Sequence, residues 1–235
     1  MQNKIKIPSR SNPNLHLTVV PGHFSSDRFH VNYYIDMTTL KMRQSEAEMV
    51  AQAMSEKYVS KVKFGKMPEA NRYLNEMADA LASKTPIDTI ICMDGCEVIG
   101  GYVAQDLSKL GVTSNNEHHT FYVISPEFDS AGQMVVRDNI KHMLKGKHVL
   151  VILATAMSGR TIYKSIKCIN SYGGIVEGIS VIYSVVDSIE GYPVHSVFNK
   201  EDLPDFKLAE PCDCELCKAG KPLDAIVNSY GYSVL

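Results

Sequence analysis

Tryptophan is absent from the 235-residue chain, and only 8% of its residues are aromatic. Nowhere does an apolar run approach the roughly 18–20 residues that cross a bilayer. The longest, Val149 to Leu153, has the length of a buried strand. Net charge is nearly missing too: 24 Lys and Arg against 26 Asp and Glu leave −2. That excludes a general nucleic-acid coat, which needs a basic surface to displace counterions. There is no Gly-x-Gly-x-x-Gly, Gly-x-Ser-x-Gly, His-x-x-x-His or His-Glu-x-x-His pattern, so nothing points to dinucleotide binding, a hydrolase elbow or metal catalysis. Six cysteines are too few for a disulfide scaffold. The first residues, Met1 to Lys6, carry no apolar signal core. The expectation is a cytoplasmic protein with reduced thiols, no membrane partner and no nucleic-acid partner.

What is present is the composition of a globule, 45% hydrophobic and 21% charged. One domain over 1–235 is expected, made of an arm (1–30), an α/β core (31–186) and a hood-like tail (187–235). Pro8, Pro13 and Pro21 predict an irregular arm, and Asn32 to Met37 a strand. Ser45-Glu46-Ala47-Glu48 reads as a capping box, and Ala47, Val50, Ala51, Met54 and Tyr58 follow the helical period behind it. Pro68 is placed to start a second helix with Tyr73, Leu74, Met77, Ala80 and Leu81 on its apolar face. Continuous apolar runs at 89–93, 120–124, 148–153 and 175–186 then alternate with helical stretches at 98–110 and 160–172, with a bulge expected at Gly178. Such runs are parallel strands buried on both faces. The fold class is α/β, a doubly wound, mostly parallel sheet, whose ligands bind at the carboxyl ends of the strands.

The segment from Val149 to Thr161 carries the most chemistry. A buried strand delivers a short loop of small and hydroxyl residues that opens a helix. Free amides there can cradle a phosphate. The candidate binding residues are Thr155, Ala156, Met157, Ser158, Gly159, Arg160 and Thr161. The plainer alternative is an ordinary turn with Ser158 as N-cap. Arg160 either clamps a phosphate or projects into solvent.

This segment resembles the ribose-phosphate signature of type I phosphoribosyltransferases. Gly22-His23-Phe24 with Asn32-Tyr33-Tyr34-Ile35-Asp36 is similar to the start of orotate phosphoribosyltransferases. The loop Asp94-Gly95-Cys96-Glu97, the lead-in Lys145-Gly146-Lys147 and the tail Cys214-Glu215-Leu216-Cys217-Lys218-Ala219-Gly220-Lys221-Pro222-Leu223 follow in the family's order, over roughly residues 20–225. The resemblance implies the phosphoribosyltransferase fold, a homodimer, Mg²⁺ accompanying a phosphorylated ligand, no organic cofactor, and a pyrophosphate loop at Asp94, Gly95, Cys96 and Glu97.

Its departures fall on the chemistry. The two acids that hold the ribose hydroxyls in the family are matched by Leu153 and Ala154. Hydrogen bonds to charged groups contribute about 1.5–3 kcal/mol each, so losing two removes roughly two to four decades of affinity. The basic loop that covers departing pyrophosphate is matched by 125–136, with Glu127 and Asp129 and no base, where a hairpin turning near 129–132 is expected. Asp94 and Glu97 either hold Mg²⁺ or, for Glu97, favour the helix N-terminus, and Cys96 reads as a passive thiol. The expected function is binding of a ribose 5-phosphate or nucleotide with lost or altered catalysis. The alternative is an active phosphoribosyltransferase joining a pyrimidine base to phosphoribosyl pyrophosphate.

Cys212-x-Cys214-x-x-Cys217 remains. A Cys-x-x-Cys knuckle brings two sulfurs to one Zn²⁺, with Cys212 a candidate third ligand and a distant His or a partner chain the fourth. Reduced thiols in a tight turn are the other reading.

Overall fold

The computed structural model describes residues 4–10, 12–58 and 86–235. The helix expected after Pro68 lies outside the described residues.

The hydrophobic runs build a six-stranded sheet in the order β10-β11-β9-β8-β4-β5. Its strands are β4 (Thr89–Cys92), β5 (Tyr122–Ile124), β8 (His148–Ala156), β9 (Ile175–Ser184), β10 (Ser188–Ile189) and β11 (Tyr192–Asn199). Neighbours are parallel except β10 with β11. Because side chains alternate across a strand, β4 and β8 feed two cores. Ile90, Cys92, Leu150, Ile152 and Ala154 face one, shared with α2 (Gln44–Ser55) and α3 (Glu97–Lys109). Ile91, Met93, Val149, Val151 and Leu153 face the other, shared with Ile162, Ile166 and Ile169 of α4 (Arg160–Ser171). Layers on both faces make the sheet doubly wound, as the apolar runs predict. The register shift opposite Val149 and Leu150 puts the β9 bulge at Glu177–Gly178. A Cβ on Gly178 would sit 2.4 Å from the Tyr58 ring, so glycine there makes room for Tyr58, whose hydroxyl meets that of Ser180 at 2.8 Å.

Residues 1–30 depart from expectation. Instead of an irregular arm they contain β1 (Ile5–Pro8) and most of the hairpin of β2 (His16–Ser25) with β3 (His30–Asp36). The prolines are accommodated where the ladder tolerates them: Pro8 ends β1, and Pro21 marks a register shift in β2. These strands join the tail in a second sheet. There β12 (Leu208–Ala209) pairs with β3, and β13 (Ala225–Asn228) runs parallel to β2 and pairs with β14 (Gly231–Val234). Arm and tail thus share one sheet, whose Leu17 and Val19 pack into the core with α2 and whose segments 26–29 and 227–229 reach the end of β8.

The capping box is another correction. A short α1 (Thr38–Met42) runs almost directly into α2, so Arg43 becomes the N-cap and Ser45 lies inside the helix, with no side-chain cap bond. Ala47, Val50, Ala51 and Met54 are buried as the period predicts. The stretch matched to the basic loop is the expected hairpin, β6 (Glu127–Phe128) with β7 (Met134–Val135). Among the described residues no helix is long and apolar enough to cross a membrane.

Candidate functional site

Strand β8 is held to β9 up to its last residues, Thr155 opposite Tyr183 and Ala156 opposite Ser184. The Val185 amide then donates to the Ala156 carbonyl at 3.0 Å. Beyond that point the chain lets go. Gly159, at φ 70°, turns the backbone into α4 without any side-chain cap. Only glycine enters this left-handed region cheaply, and a Cβ here would also meet Ile189 at 2.6 Å. The first backbone bond of the helix is Tyr163 N–H to Gly159 C=O, at 2.9 Å. Among the described residues, the amides of Met157, Ser158, Gly159, Arg160 and Thr161 donate to no protein group. Ser158 is therefore not the N-cap that the plainer reading required. Five amides without a protein acceptor thus stand at a helix start, with the partial positive charge of the helix behind them, which is the kind of place that favours an anion.

These amides border a cleft of about 570 Å³, within the range of ligand pockets. The Ser158 and Thr161 side chains line it, with Arg28, Arg160 and Lys164 as its cations. Arg28 lies 3.8 Å from Asp27, and Lys164 donates to the carbonyls of Ala131 and Gly132 at 3.0 and 3.3 Å. Arg160 is exposed and makes no ion pair among the described residues. Asp129 also borders the cleft, but its carboxylate accepts from the amides of Ala131 (2.9 Å) and Gln133 (2.8 Å) within the hairpin turn. A second, more apolar pocket of about 160 Å³ adjoins the first. Phe29 from the arm, Tyr33 and Tyr34 from β3 and Phe206 from the tail line it, and Thr155 and Met157 border both pockets.

The loop after β4 is built the opposite way. Lys41, 2% exposed, donates from Nζ to the carbonyls of Asp94 (2.7 Å) and Ser229 (2.5 Å), and its ammonium lies 5.6 Å from the centre of the Tyr230 ring. The Asp94 carboxylate accepts from the Ser229 hydroxyl and the Ala154 amide. Burial pushes the Asp94 carboxyl above its usual range, while those bonds and the Lys41 charge pull it back. Gly95, at φ 77°, packs 3.6–3.8 Å from Lys41 and Tyr230 by its would-be Cβ. Cys96 is fully buried, and burial drives its thiol well above the ordinary value, which disfavours the reactive thiolate. Cys92 is pushed up to about 12 by burial. Glu97 stands in the first turn of α3 and accepts from the Ser125 hydroxyl at 2.7 Å, where its charge favours the helix start. Of the four residues, only Asp94 borders the cleft.

Leu153 and Ala154, which the resemblance matches to ribose-binding acids, are 1% exposed. Each belongs to a different apolar core. The cysteines of the tail divide. Cys214 and Cys217 come together with His23 and His30, their potential ligand atoms all within 4.8 Å of one another. Cys212 is exposed and outside this group. Sequence reading did not find Lys41, Ser229, Arg28, Phe29, Lys164 or the histidine pair. Lys164 stands one turn beyond Arg160 in α4, where helical spacing could have found it, whereas Lys41 meets Ser229, and the histidine pair its cysteines, only across long stretches of chain.

No protein-family model matches the chain, and no curated protein does. Among solved structures it is similar to an orotate phosphoribosyltransferase from Aeropyrum pernix, at 19% identity over 79% of this chain and 90% of that one, with TM-score 0.46. It is similar to an adenine phosphoribosyltransferase from Thermoanaerobacter pseudethanolicus, at 14% over 83% and 95%, TM-score 0.47. It is also similar to the UMP synthase of Leishmania donovani, at 16% over 86% of this chain but 36% of that one, TM-score 0.49. At these values the likeness concerns the path of the chain, and no residue role is transferred from it.

Proposed function

We propose that the protein is a phosphoribosyltransferase-like binder of a ribose 5-phosphate or nucleotide, with the transfer reaction lost or altered. The observation that carries this is the row of unpaired amides from Met157 to Thr161 opening into the cleft. A terminal phosphate takes these N–H groups, and Arg160 adds a planar pair of donors. The adjoining pocket of Phe29, Tyr33, Tyr34 and Phe206 suits a planar base, excluding water while leaving the phosphate wet.

Several features speak against pyrophosphate chemistry. Positive charge is needed where pyrophosphate gathers its negative charge. The Lys41 ammonium beside the second loop is already spent on two carbonyls. Resident Mg²⁺ does not fit the donor set either, because it asks for oxygen ligands in an open octahedron. Asp94 and Asp129 have their carboxylates engaged, and Leu153 and Ala154 offer no side-chain oxygen. A homodimer is part of this reading and rests on the resemblance alone.

Calorimetry and melting curves test it. Nucleoside monophosphates or ribose 5-phosphate should bind and raise the melting temperature, with no turnover for any base. Micromolar binding of phosphoribosyl pyrophosphate with Mg²⁺, followed by pyrophosphate release with a nucleobase, would establish the transferase instead.

A further inference from the structure

The four side chains brought together at the edge of the second sheet come from the two ends of the chain. In the β2–β3 hairpin, His30 pairs with Ser25, so His30 and His23 lie on one face and their rings meet edge-on at 5.0 Å. From the tail, Cys214 is the N-cap of α5 (Glu215–Lys218), and Cys217 is one turn further on. His23 Nε2 is 3.2 Å from His30 Nδ1, 3.4 Å from Cys214 Sγ and 3.6 Å from Cys217 Sγ, and His30 Nδ1 is 3.2 Å from Cys217 Sγ.

Zinc sits about 2.0–2.1 Å from imidazole nitrogen and about 2.3 Å from thiolate sulfur. A tetrahedron of those radii has nitrogen–nitrogen edges of about 3.3 Å and nitrogen–sulfur edges of about 3.6 Å. Three of the four separations lie within about 0.2 Å of these edges, and the His30–Cys217 one is about 0.4 Å shorter. The orientation of His23 supports it independently. Its Nδ1 lies 2.9 Å from the Lys221 carbonyl and 3.2 Å from that of Pro222, which can only accept, so Nδ1 carries the proton. Nε2 of the neutral ring then aims its lone pair into the cluster. A carbonyl fixing the tautomer in this way is the usual outer support of a metal-bound histidine. His23 is 0%, Cys214 5% and His30 9% exposed. Cys217, the fourth, is exposed at the rim of the cluster.

We propose that His23, His30, Cys214 and Cys217 form a structural Zn²⁺ site. On binding, the two thiols lose their protons to solvent, and two thiolates with two neutral imidazoles cancel the ion's charge, which suits a site where three of the four ligands are buried. All four positions belong to protein side chains, so the site is closed and holds no water for catalysis. Its work is to fasten the arm to the tail. It also grips both ends of the Ser26–Phe29 segment, which contributes Arg28 and Phe29 to the cleft.

The full chain, purified without added metal or chelator, should contain about one zinc per molecule. X-ray absorption should report two nitrogen and two sulfur neighbours. Exchange for Co²⁺ should give tetrahedral visible bands with a thiolate-to-metal charge-transfer band. Chelation should lower the melting temperature by about 10 °C, reversed by Zn²⁺. His30→Ala and Cys217→Ser should each abolish stoichiometric metal, while Cys212→Ser should leave it intact. Metal-free protein with no cobalt spectrum, a Cys214–Cys217 disulfide in the purified chain, or a metal lost with Cys212→Ser and kept without His30 would overturn the assignment. Should a variant fail to fold, the metal content and absorption spectrum of the unaltered chain still decide it.

Discussion

Two loops leave the carboxyl ends of adjacent parallel strands, and they are finished in opposite ways. After β8, the amides of Met157 to Thr161 have no protein acceptor among the described residues, and these residues border a cleft. After β4, the loop of Asp94 to Glu97 is filled from the protein itself, by a buried lysine from α1 and by the Ser229–Tyr230 turn of the tail. The same fold position can thus be left open or be closed by side chains. Which one occurs depends on whether distant parts of the chain supply the counter-groups. An enzyme that transfers a pyrophosphate-activated sugar needs both loops open. A binder of one phosphate needs one.

Changes at the two loops should therefore have different signatures. The largest effect on stability belongs to the closed one. Lys41→Met leaves the Asp94 carboxylate without its neighbouring charge and two carbonyls without their donor, and should cost about 3 kcal/mol. Urea unfolding should show that loss, with phosphate affinity changed by less than about twofold. A large fall in phosphate affinity in a folded Lys41→Met protein would place the ligand at the wrong loop.

The open loop should respond in the other sense. Gly159→Val forces a β-branched residue into the left-handed region against Ile189, costing about 1–2 kcal/mol of stability. Phosphate affinity should fall by about tenfold or more in calorimetry, because the row of amides can no longer converge. Unchanged affinity would mean that the amides do not hold the phosphate.

The smallest effect is a pH dependence. The Asp94 carboxyl is raised in the folded state by burial. Its contribution to stability is thus fully present below the unfolded carboxyl value and is lost as pH rises through the folded value. Asp94→Asn should remove that segment from the curve of unfolding midpoint against pH. An identical curve in the variant would show that the carboxylate is not penalised in the closed loop.

The difference between the loops also explains what could be read from sequence. The strand, glycine turn and helix over residues 148–171 were legible because they are consecutive residues, and local backbone conformation follows from local order. The parallel sheet was legible for a similar reason: its strands are buried on both faces and appear as unbroken apolar runs. Leu153 and Ala154 could be seen as losses without any structure. The plug was not legible, since Lys41 and Ser229 are separated by 188 positions and meet only after the second sheet forms. The histidine and cysteine cluster is harder still, with 191 positions between His23 and Cys214. Its histidines face each other through a hairpin register that no fixed His–His spacing encodes. The arm was misread because prolines were weighed as breakers, whereas at a strand end and a register shift they cost little.

The central claim can be tested by following backbone amide resonances while inorganic phosphate and then pyrophosphate are added. The two-loop account predicts saturable shifts for Met157 through Thr161 with either anion and none for Asp94 through Glu97. Shifts confined to the 94–97 loop, or an unresponsive 157–161 stretch at millimolar phosphate, would contradict it.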